Sequence, residues 1–439
     1  MVSVSIQKPA APEAAQGGRV KRPFWWTSSG RGLARMLQES NYPEEVQHSF
    51  LTFYRNNVVP LLGDRPDETT PKSMLCRDGS PFEYSFELKS SSQNQGVRIA
   101  LDLTQLRPAD KSNPLGIATS QRFVDILSQK TPAFDDTWYR ALRDRLVRSG
   151  LFTSEQNALI AKVGQQSSVV MGFDVHRQAV EPGKLPGMGK VYFLPCFAAA
   201  AEGITNWQAT RSAIQQLPGI NSYPNILKSL EMINDYLSDK EEVWQMGARF
   251  LAVDLVAPAN ARLKLYLRCS GTTFEEIWDY YTLGGRIPNL DQDKEKFQAL
   301  TDTTSGRPYD ESRPESQLGL PWFTSNTRKH SYVYFSLSAR NPYPAPKLGL
   351  YPANFAPNDE VIVKGLDRWL DRYGWPRGGK SMEEQLKTVF THRNLAEKTG
   401  LFTFVGLGRK EGPAKNELSM QLCHFPADHG ALTVPQIAG

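Results

Sequence analysis

The sequence predicts an α+β fold in which ten antiparallel β-strands close into a single barrel surrounded by α-helices. Five times along its 439 residues, two β-like runs that can pair across a short polar or Pro/Gly-rich connection precede a longer amphipathic stretch. The pairs recur about every 70 to 85 residues. Strands joined by tight loops must be antiparallel, and closing ten of them removes exposed sheet edges. The even spacing and the lack of a long linker favour this fold over two separate α+β domains.

Apolar and polar residues alternate along the predicted strands, and turn-forming residues separate the two strands of each pair. The predicted strand pairs are 82–89 with 97–103, 168–175 with 190–196, 249–256 with 262–269, 330–339 with 347–351, and 401–407 with 417–424. Between the pairs, apolar residues at helical spacing predict helices over 43–62, 119–127, 136–149, 207–217, 226–236, 359–373 and 381–395.

The composition is that of a globular protein with a large core, since 40% of the residues are hydrophobic and 22% are charged. The net charge of +5 is modest and the Lys and Arg residues are scattered, which argues against a nucleic-acid partner. No stretch is long and apolar enough to cross a membrane, so no membrane association is expected. Residues 1–22 are expected to form a disordered tail, and 23–430 a single domain.

Cysteine usage argues against a zinc site and against a disulfide framework. Cys76, Cys196, Cys269 and Cys423 lie far apart and form no CxxC pair. A reducing compartment fits this pattern best, so the expected location is the cytoplasm.

Several predicted strands carry basic and phenolic side chains on one face. In Arg262-Leu-Lys264-Leu-Tyr266 the three polar groups share a face, and Lys190 pairs with Tyr192 in the same way. Arg98 and Lys347 begin two further strand segments. Arg and Lys bind phosphate oxygens, while tyrosine faces stabilise cations. A polar face turned to water is the alternative for each strand alone; together the residues predict an anion-binding barrel.

The order and identity of several motifs resemble the fungal aromatic prenyltransferases of the dimethylallyltryptophan synthase type. The resemblance spans residues 24–425, in the expected order. The matching segments are Leu33-x-x-Met36-Leu37, Tyr42-Pro43, Phe53-Tyr54-Arg55, Pro81-Phe82-Glu83-Tyr84-Ser85, Gly172-Phe173-Asp174, Lys190-Val-Tyr192-Phe193, Arg262-Leu-Lys264-Leu-Tyr266, Trp278-Asp-Tyr-Tyr-Thr-Leu-Gly284-Gly285 and Tyr373-Gly374-Trp375.

The resemblance implies a ten-stranded barrel built from repeated ααββ units, and transfer of a prenyl group from a diphosphate donor to an aromatic acceptor in secondary metabolism. It implies no cofactor, and no spaced aspartate motif for magnesium is present, so we expect metal-independent activity. The expected state is a monomer or homodimer. By the resemblance the donor diphosphate is held by Arg98, Lys190, Tyr192, Arg262, Lys264, Tyr266, Lys347 and Tyr351.

Two residues are implied to act on the acceptor. Glu83 matches the position that accepts a hydrogen bond from the acceptor, typically an indole N–H. His176 falls where relatives carry a group proposed to remove the ring proton, and imidazole suits this because it titrates near working pH. A salt-bridged glutamate and a structural histidine are the alternatives.

Two departures from the family pattern bear on the acceptor. Lys347-Leu-Gly349 lacks the usual tyrosine, with Tyr351 two residues later, and Glu417 and Gln421 stand near positions usually held by tyrosine. The smaller groups predict a bulky, polycyclic indole acceptor such as an indole diterpenoid. Tyr332, near the expected prenyl tail, favours dimethylallyl over geranyl diphosphate.

Two alternatives remain at this stage. The first is prenylation of a phenolic or polyketide aromatic, of the xanthone or naphthacenedione type, in the same barrel. The second is a non-catalytic barrel that binds a hydrophobic anion.

Overall fold

The fold is taken from a computed structural model, which describes residues 24–63, 73, 75–76, 80–103, 114–148, 150–269, 273–306, 331–354, 356–409 and 418–424. The predicted tail 1–22 lies outside these residues, as do His330 and Glu417, which were assigned to strands from the sequence.

Ten strands form one closed antiparallel barrel, as predicted. Each strand pairs with its neighbours in the chain, and β1 closes the barrel against β10. The strands therefore do not divide between two sheets. They are β1 (Phe82–Lys89), β2 (Ser92–Leu101), β3 (Val169–Val175), β4 (Gly187–Phe193), β5 (Ala248–Asp254), β6 (Arg262–Arg268), β7 (Ser331–Ser338), β8 (Asn341–Leu350), β9 (Phe402–Arg409) and β10 (Leu418–His424).

Helices lie between successive hairpins and cover the barrel. They are α1 (Phe24–Glu39), α2 (Glu44–Phe53), α3 (Ile117–Lys130), α4 (Thr137–Leu142), α5 (Thr153–Val163), α6 (Cys196–Glu202), α7 (Asn206–Gln215), α8 (Pro224–Ser238), α9 (Glu242–Met246), α10 (Phe274–Thr282), α11 (Lys294–Ser305), α12 (Asp359–Arg372) and α13 (Met382–Val389). No helix in the described ranges has the length and apolarity needed to span a bilayer.

The alternation of each strand separates a hydrophobic outer layer from a polar lumen. In β1 the fully buried Phe82 and Phe86 belong to the core cluster formed with the helices, where a fully buried apolar side chain contributes roughly 1.5–3 kcal/mol. Glu83 and Glu87, on the opposite face of the strand, line lumen cavities. Strand registry therefore decides which residues meet inside the barrel.

The largest boundary difference from the sequence prediction is in β8. It begins at Asn341 and runs through Pro342 and Pro344, where the sequence predicts a turn, and then through Pro346. Among the described residues this part of β8 pairs with β7, and the pairing of β8 with β9 begins at Lys347. Proline lacks an N–H but is tolerated where one side of a strand is unpaired.

Candidate active site

The barrel lumen holds two cavities that meet at one ion pair. The polar cavity has a volume of about 650 Å3, and its lining includes Glu87, Arg98, Asp174, Arg262, Lys264 and Lys347. The aromatic cavity has a volume of about 170 Å3, and its lining includes Glu83, Tyr192, Tyr266, Tyr332, Tyr351 and Phe404. Arg98 and Asp174 line both cavities.

Arg98 is held from three sides. Its Nη2 lies 2.7 Å from Glu87 Oε1, its Nε lies 3.2 Å from Asp174 Oδ1, and its Nη1 donates to Gln421 Oε1 at 3.4 Å. Burial alone would raise the pKa of the Glu87 carboxyl, but the charges of Arg98 and Lys347 outweigh it and lower this pKa to about 2. Glu87 is therefore ionised at neutral pH and fixes the guanidinium.

The remaining cations of the prediction also lie inside the barrel. Lys190 is buried and donates to Asp174 Oδ2, and Arg262 Nε lies 2.6 Å from Asp254 Oδ2. Burial, and then the charges of Lys190 and Arg262, lower the pKa of Lys264 well below its usual range. Within the described part of the chain Lys264 has no ion-pair partner, so an anion entering the polar cavity would supply one.

A run of aromatic rings lies between Lys264 and the aromatic cavity. The ring centroids of Tyr192 and Tyr266 are 5.7 Å apart, and those of Tyr266 and Tyr334 are 4.9 Å apart. The Lys264 ammonium lies 5.9 Å from the Tyr334 centroid. Tyr334 was not among the predicted site residues, although alternation in β7 places it on the same face as Tyr332.

In β8, Gly349 stands where the family usually has a tyrosine, and a side chain from β7 occupies the space beside it. Gly349 pairs with Tyr332, and a Cβ on Gly349 would meet the Tyr332 ring at 2.2 Å. Tyr332 in turn contacts Phe404 edge to face at 5.3 Å and lies 5.8 Å from Tyr351. The space that Gly349 leaves is thus occupied by the β7 tyrosine, and the absence of a β8 tyrosine does not enlarge the cavity there.

Glu83, Arg249 and Arg268 bring charge into the aromatic cavity. Glu83 is only 7% exposed, and Arg268 follows the inward alternation of β6. Arg249 is the extra residue of a bulge between Ala248 and Phe250 in β5. A bulge re-aims a side chain that alternation would point outward, and for this reason Arg249 was not predicted as a site residue.

His176 lies apart from Glu83. It directly follows β3, is exposed, and lines the polar cavity. Strand registry places Glu83 level with Ala100 and Gly172. Because Gly172 is four residues before His176 in the same strand direction, Glu83 and His176 are about 13 Å apart along the strand. Burial lowers the pKa of His176, and Lys190 and Arg262 lower it further, against the effect of Asp174.

The geometry thus brings most of the predicted site residues into one lumen. Arg98, Lys190, Arg262, Lys264 and Lys347 converge at its polar half, while Tyr192, Tyr266, Tyr332, Tyr351, Glu83 and Gln421 surround its other half. No group of three His, Cys, Asp or Glu side chains suited to a metal occurs among the described residues. The site is that of a barrel that can bind an anion beside an aromatic cavity.

Comparison with known proteins gives the family. The family model for tryptophan dimethylallyltransferase matches residues 21–385. Prenyltransferase phnF of Penicillium herquei is 56% identical over 92% of this chain and 91% of its own length. The DMATS-type prenyltransferase mfmD of Annulohypoxylon moriforme is 49% identical over 92% of each chain. The chain belongs to the dimethylallyltryptophan synthase family and is an aromatic prenyltransferase.

The solved structures support the fold. The complex of NotF with brevianamide F and DMSPP superposes with a TM-score of 0.72 at 19% identity, covering 92% of this chain and 94% of that one. AnaPT from Neosartorya fischeri gives 0.73 at 20% identity, with 93% and 95% covered. The barrel predicted from the sequence is confirmed, and a non-catalytic barrel is excluded by the family.

Proposed function

We propose that this enzyme transfers a dimethylallyl group from dimethylallyl diphosphate to an aromatic carbon of a phenolic acceptor, without a divalent metal. The observation that carries the proposal is the divided lumen. Its polar half presents cations to a leaving diphosphate, and its other half combines aromatic walls with Glu83 and two arginines.

The reaction follows from this division. The C–O bond of the donor breaks, and its electron pair leaves with the diphosphate, whose charge Arg98, Arg262 and Lys264 stabilise. The allylic cation faces the rings of Tyr192 and Tyr266, which attract it and exclude water. An aromatic carbon of the acceptor then forms the new C–C bond, and the ring loses a proton.

Metal independence is supported by the ion pairs that lumen carboxylates form with arginines. Glu87 and Asp174 pair with Arg98, and Asp254 pairs with Arg262. Carboxylates held by guanidinium groups are poor candidates to bind magnesium, while the cations can neutralise the diphosphate directly.

A phenolic acceptor is supported by the charges in the aromatic cavity. Arg249 and Arg268 can stabilise a phenolate or an acidic ring hydroxyl, and Glu83 can accept its proton. Two more distant relatives carry phenolic names: Xanthone prenyltransferase B of Emericella nidulans, 26% identical over 87% of this chain, and 4-O-dimethylallyl-L-tyrosine synthase of Claviceps purpurea, 25% identical over 89%.

An indole acceptor, as expected from the sequence, is the second candidate. Glu83 can accept a hydrogen bond from an indole N–H and enrich the ring in electrons as the cation attacks. For this second candidate, the expected acceptor is a polycyclic indole ahead of free tryptophan.

The test is an acceptor panel with dimethylallyl diphosphate, in which product mass and released diphosphate are measured with and without EDTA. Hydroxyxanthones and other phenols are expected to react about tenfold faster than indole diterpenoids or tryptophan. Faster turnover of the indoles would favour the second candidate instead. The rate should not change with EDTA; a loss that added magnesium restores would contradict metal independence.

His176 is proposed to take up the proton that the ring loses through a chain of water molecules, since it lines the polar cavity about 13 Å from Glu83 along the strand. Because its lowered pKa keeps the imidazole neutral at pH 7, kcat should fall only as the pH drops below that pKa. Replacement of His176 by glutamine should lower kcat by about a hundredfold and abolish the acidic limb of the profile. His48→Gln, at an exposed position of α2, is the control. An unchanged acidic limb in His176→Gln would rule the role out.

Tyr332 is proposed to limit donor length. Replacement by alanine removes the ring that covers Gly349 and should raise turnover of geranyl diphosphate by about tenfold or more, while turnover of the shorter donor falls. Tyr332→Phe keeps the ring and should retain the preference for five carbons. A Tyr332→Ala enzyme that still rejects geranyl diphosphate would contradict this role.

A further inference from the structure

Asp174 lies where the two lumen cavities meet, and it bridges two strands that carry donor-site cations. It is directly opposite Arg98 in the β2–β3 pairing, while Lys190 stands opposite Gly172 in the β3–β4 pairing. One Asp174 oxygen lies 3.2 Å from Arg98 Nε, and the other accepts from Lys190 Nζ. A single carboxylate thus orients two cations from neighbouring strands.

The contacts of Arg98 define a direction for its free donors. A guanidinium has five N–H groups. Asp174 engages the Nε donor, and Glu87 and Gln421 each engage one terminal nitrogen. Within the described ranges, the second N–H of each terminal nitrogen is left for a further acceptor. Since Arg98 also lines the polar cavity, a phosphate oxygen there can receive these bonds.

Charge alone predicts the opposite role for Asp174. A carboxylate beside the polar cavity repels an incoming diphosphate, so its removal would tighten diphosphate binding if the cations kept their places. Without it, however, the mutual repulsion of Arg98, Lys190 and Lys264 would be less compensated in a buried site, and Lys190 would lose its ion pair with Asp174. The sign of the effect therefore distinguishes the two roles.

We propose that Asp174 is a positioning residue of the transfer reaction, which holds Arg98 and Lys190 in the orientation that binds the leaving diphosphate. The inference rests on the proposed donor site and adds to it a residue that bonds the cations and not the donor. Its effect should appear in diphosphate binding, whereas a purely structural role would lower only the active fraction.

The test is calorimetric titration of wild type and Asp174→Asn with inorganic diphosphate, together with steady-state kinetics. The dissociation constant of diphosphate and the KM of the donor should both rise by about tenfold or more, with the KM of the acceptor unchanged. Asp359→Asn is the matched control. Asp359 is buried and forms an ion pair of 3.2 Å with Arg393, and neither residue lines a lumen cavity. This variant should lower Tm without changing diphosphate affinity.

Equal or tighter diphosphate binding by Asp174→Asn would overturn the inference. If that variant does not fold, diphosphate affinity is compared instead between Lys190→Met and the double variant Asp174→Asn/Lys190→Met. The double variant should bind diphosphate more weakly than Lys190→Met, because Arg98 still loses its support; equal binding would contradict the role. Failure of the wild type to bind diphosphate would instead show that the proposed donor site is wrong.

Discussion

Replacement of Arg98 by methionine is expected to lower kcat/KM for the prenyl donor by about a thousandfold. Arg98 lines both cavities, and the proposed donor site puts its guanidinium where the C–O bond of the donor breaks. The variant also removes a cation that neutralises Glu87 and Asp174, so the local charge becomes less favourable for an anion. Steady-state kinetics over donor concentration, with Tm measured in parallel, checks the prediction.

Arg393→Met serves as the control for Arg98→Met. Arg393 is also a buried arginine paired with a carboxylate, Asp359, but it lies outside the lumen cavities. It should reduce stability while kcat/KM stays within about twofold of wild type. A similar loss of kcat/KM in both variants would mean that the effect of Arg98 comes from instability.

Replacement of Glu83 by glutamine should lower prenyl transfer by about a hundredfold to a thousandfold while leaving diphosphate affinity unchanged. The carboxylate is buried in the aromatic cavity, away from the cations of the polar half. Glutamine keeps the size of the side chain, but it can neither accept a proton from a ring hydroxyl nor carry the charge that enriches the ring in electrons. Product formation under saturating donor is the measurement.

Donor hydrolysis without an acceptor gives the internal control for Glu83→Gln. Because hydrolysis needs only the cations and a water molecule, it should continue at about the wild-type rate. Equal transfer by Glu83→Gln and wild type would remove Glu83 from the mechanism, whereas a parallel loss of hydrolysis would place it in the donor site.

The barrel was predictable because two signals agree over the whole chain. Strand-length alternation such as Arg262-Leu-Lys264-Leu-Tyr266 and tight connections such as 257–261 recur often enough to define ten antiparallel strands. Strand ends were less predictable. The prolines of β8 signal a turn locally, whereas among the described residues this part of β8 pairs with β7 and not with β9.

The cations of the site were predictable for the same reason, since alternation assigns each of them to one face. Alternation does not reveal a β-bulge, and the bulge in β5 directs Arg249 into the lumen. It also does not reveal that the Tyr332 ring occupies the space next to Gly349. The distance of His176 from Glu83 depends on the registry across three strands, which the sequence does not display.

The strand-borne cations are proposed to hold the donor diphosphate inside the barrel. The test is a crystal structure with an unreactive thiolodiphosphate analogue of the donor. Phosphate oxygens are expected within about 3 Å of Arg98, Arg262 and Lys264, with the prenyl chain against Tyr192 and Tyr266. An analogue bound outside the lumen, or with its diphosphate in the aromatic cavity, would contradict this proposal.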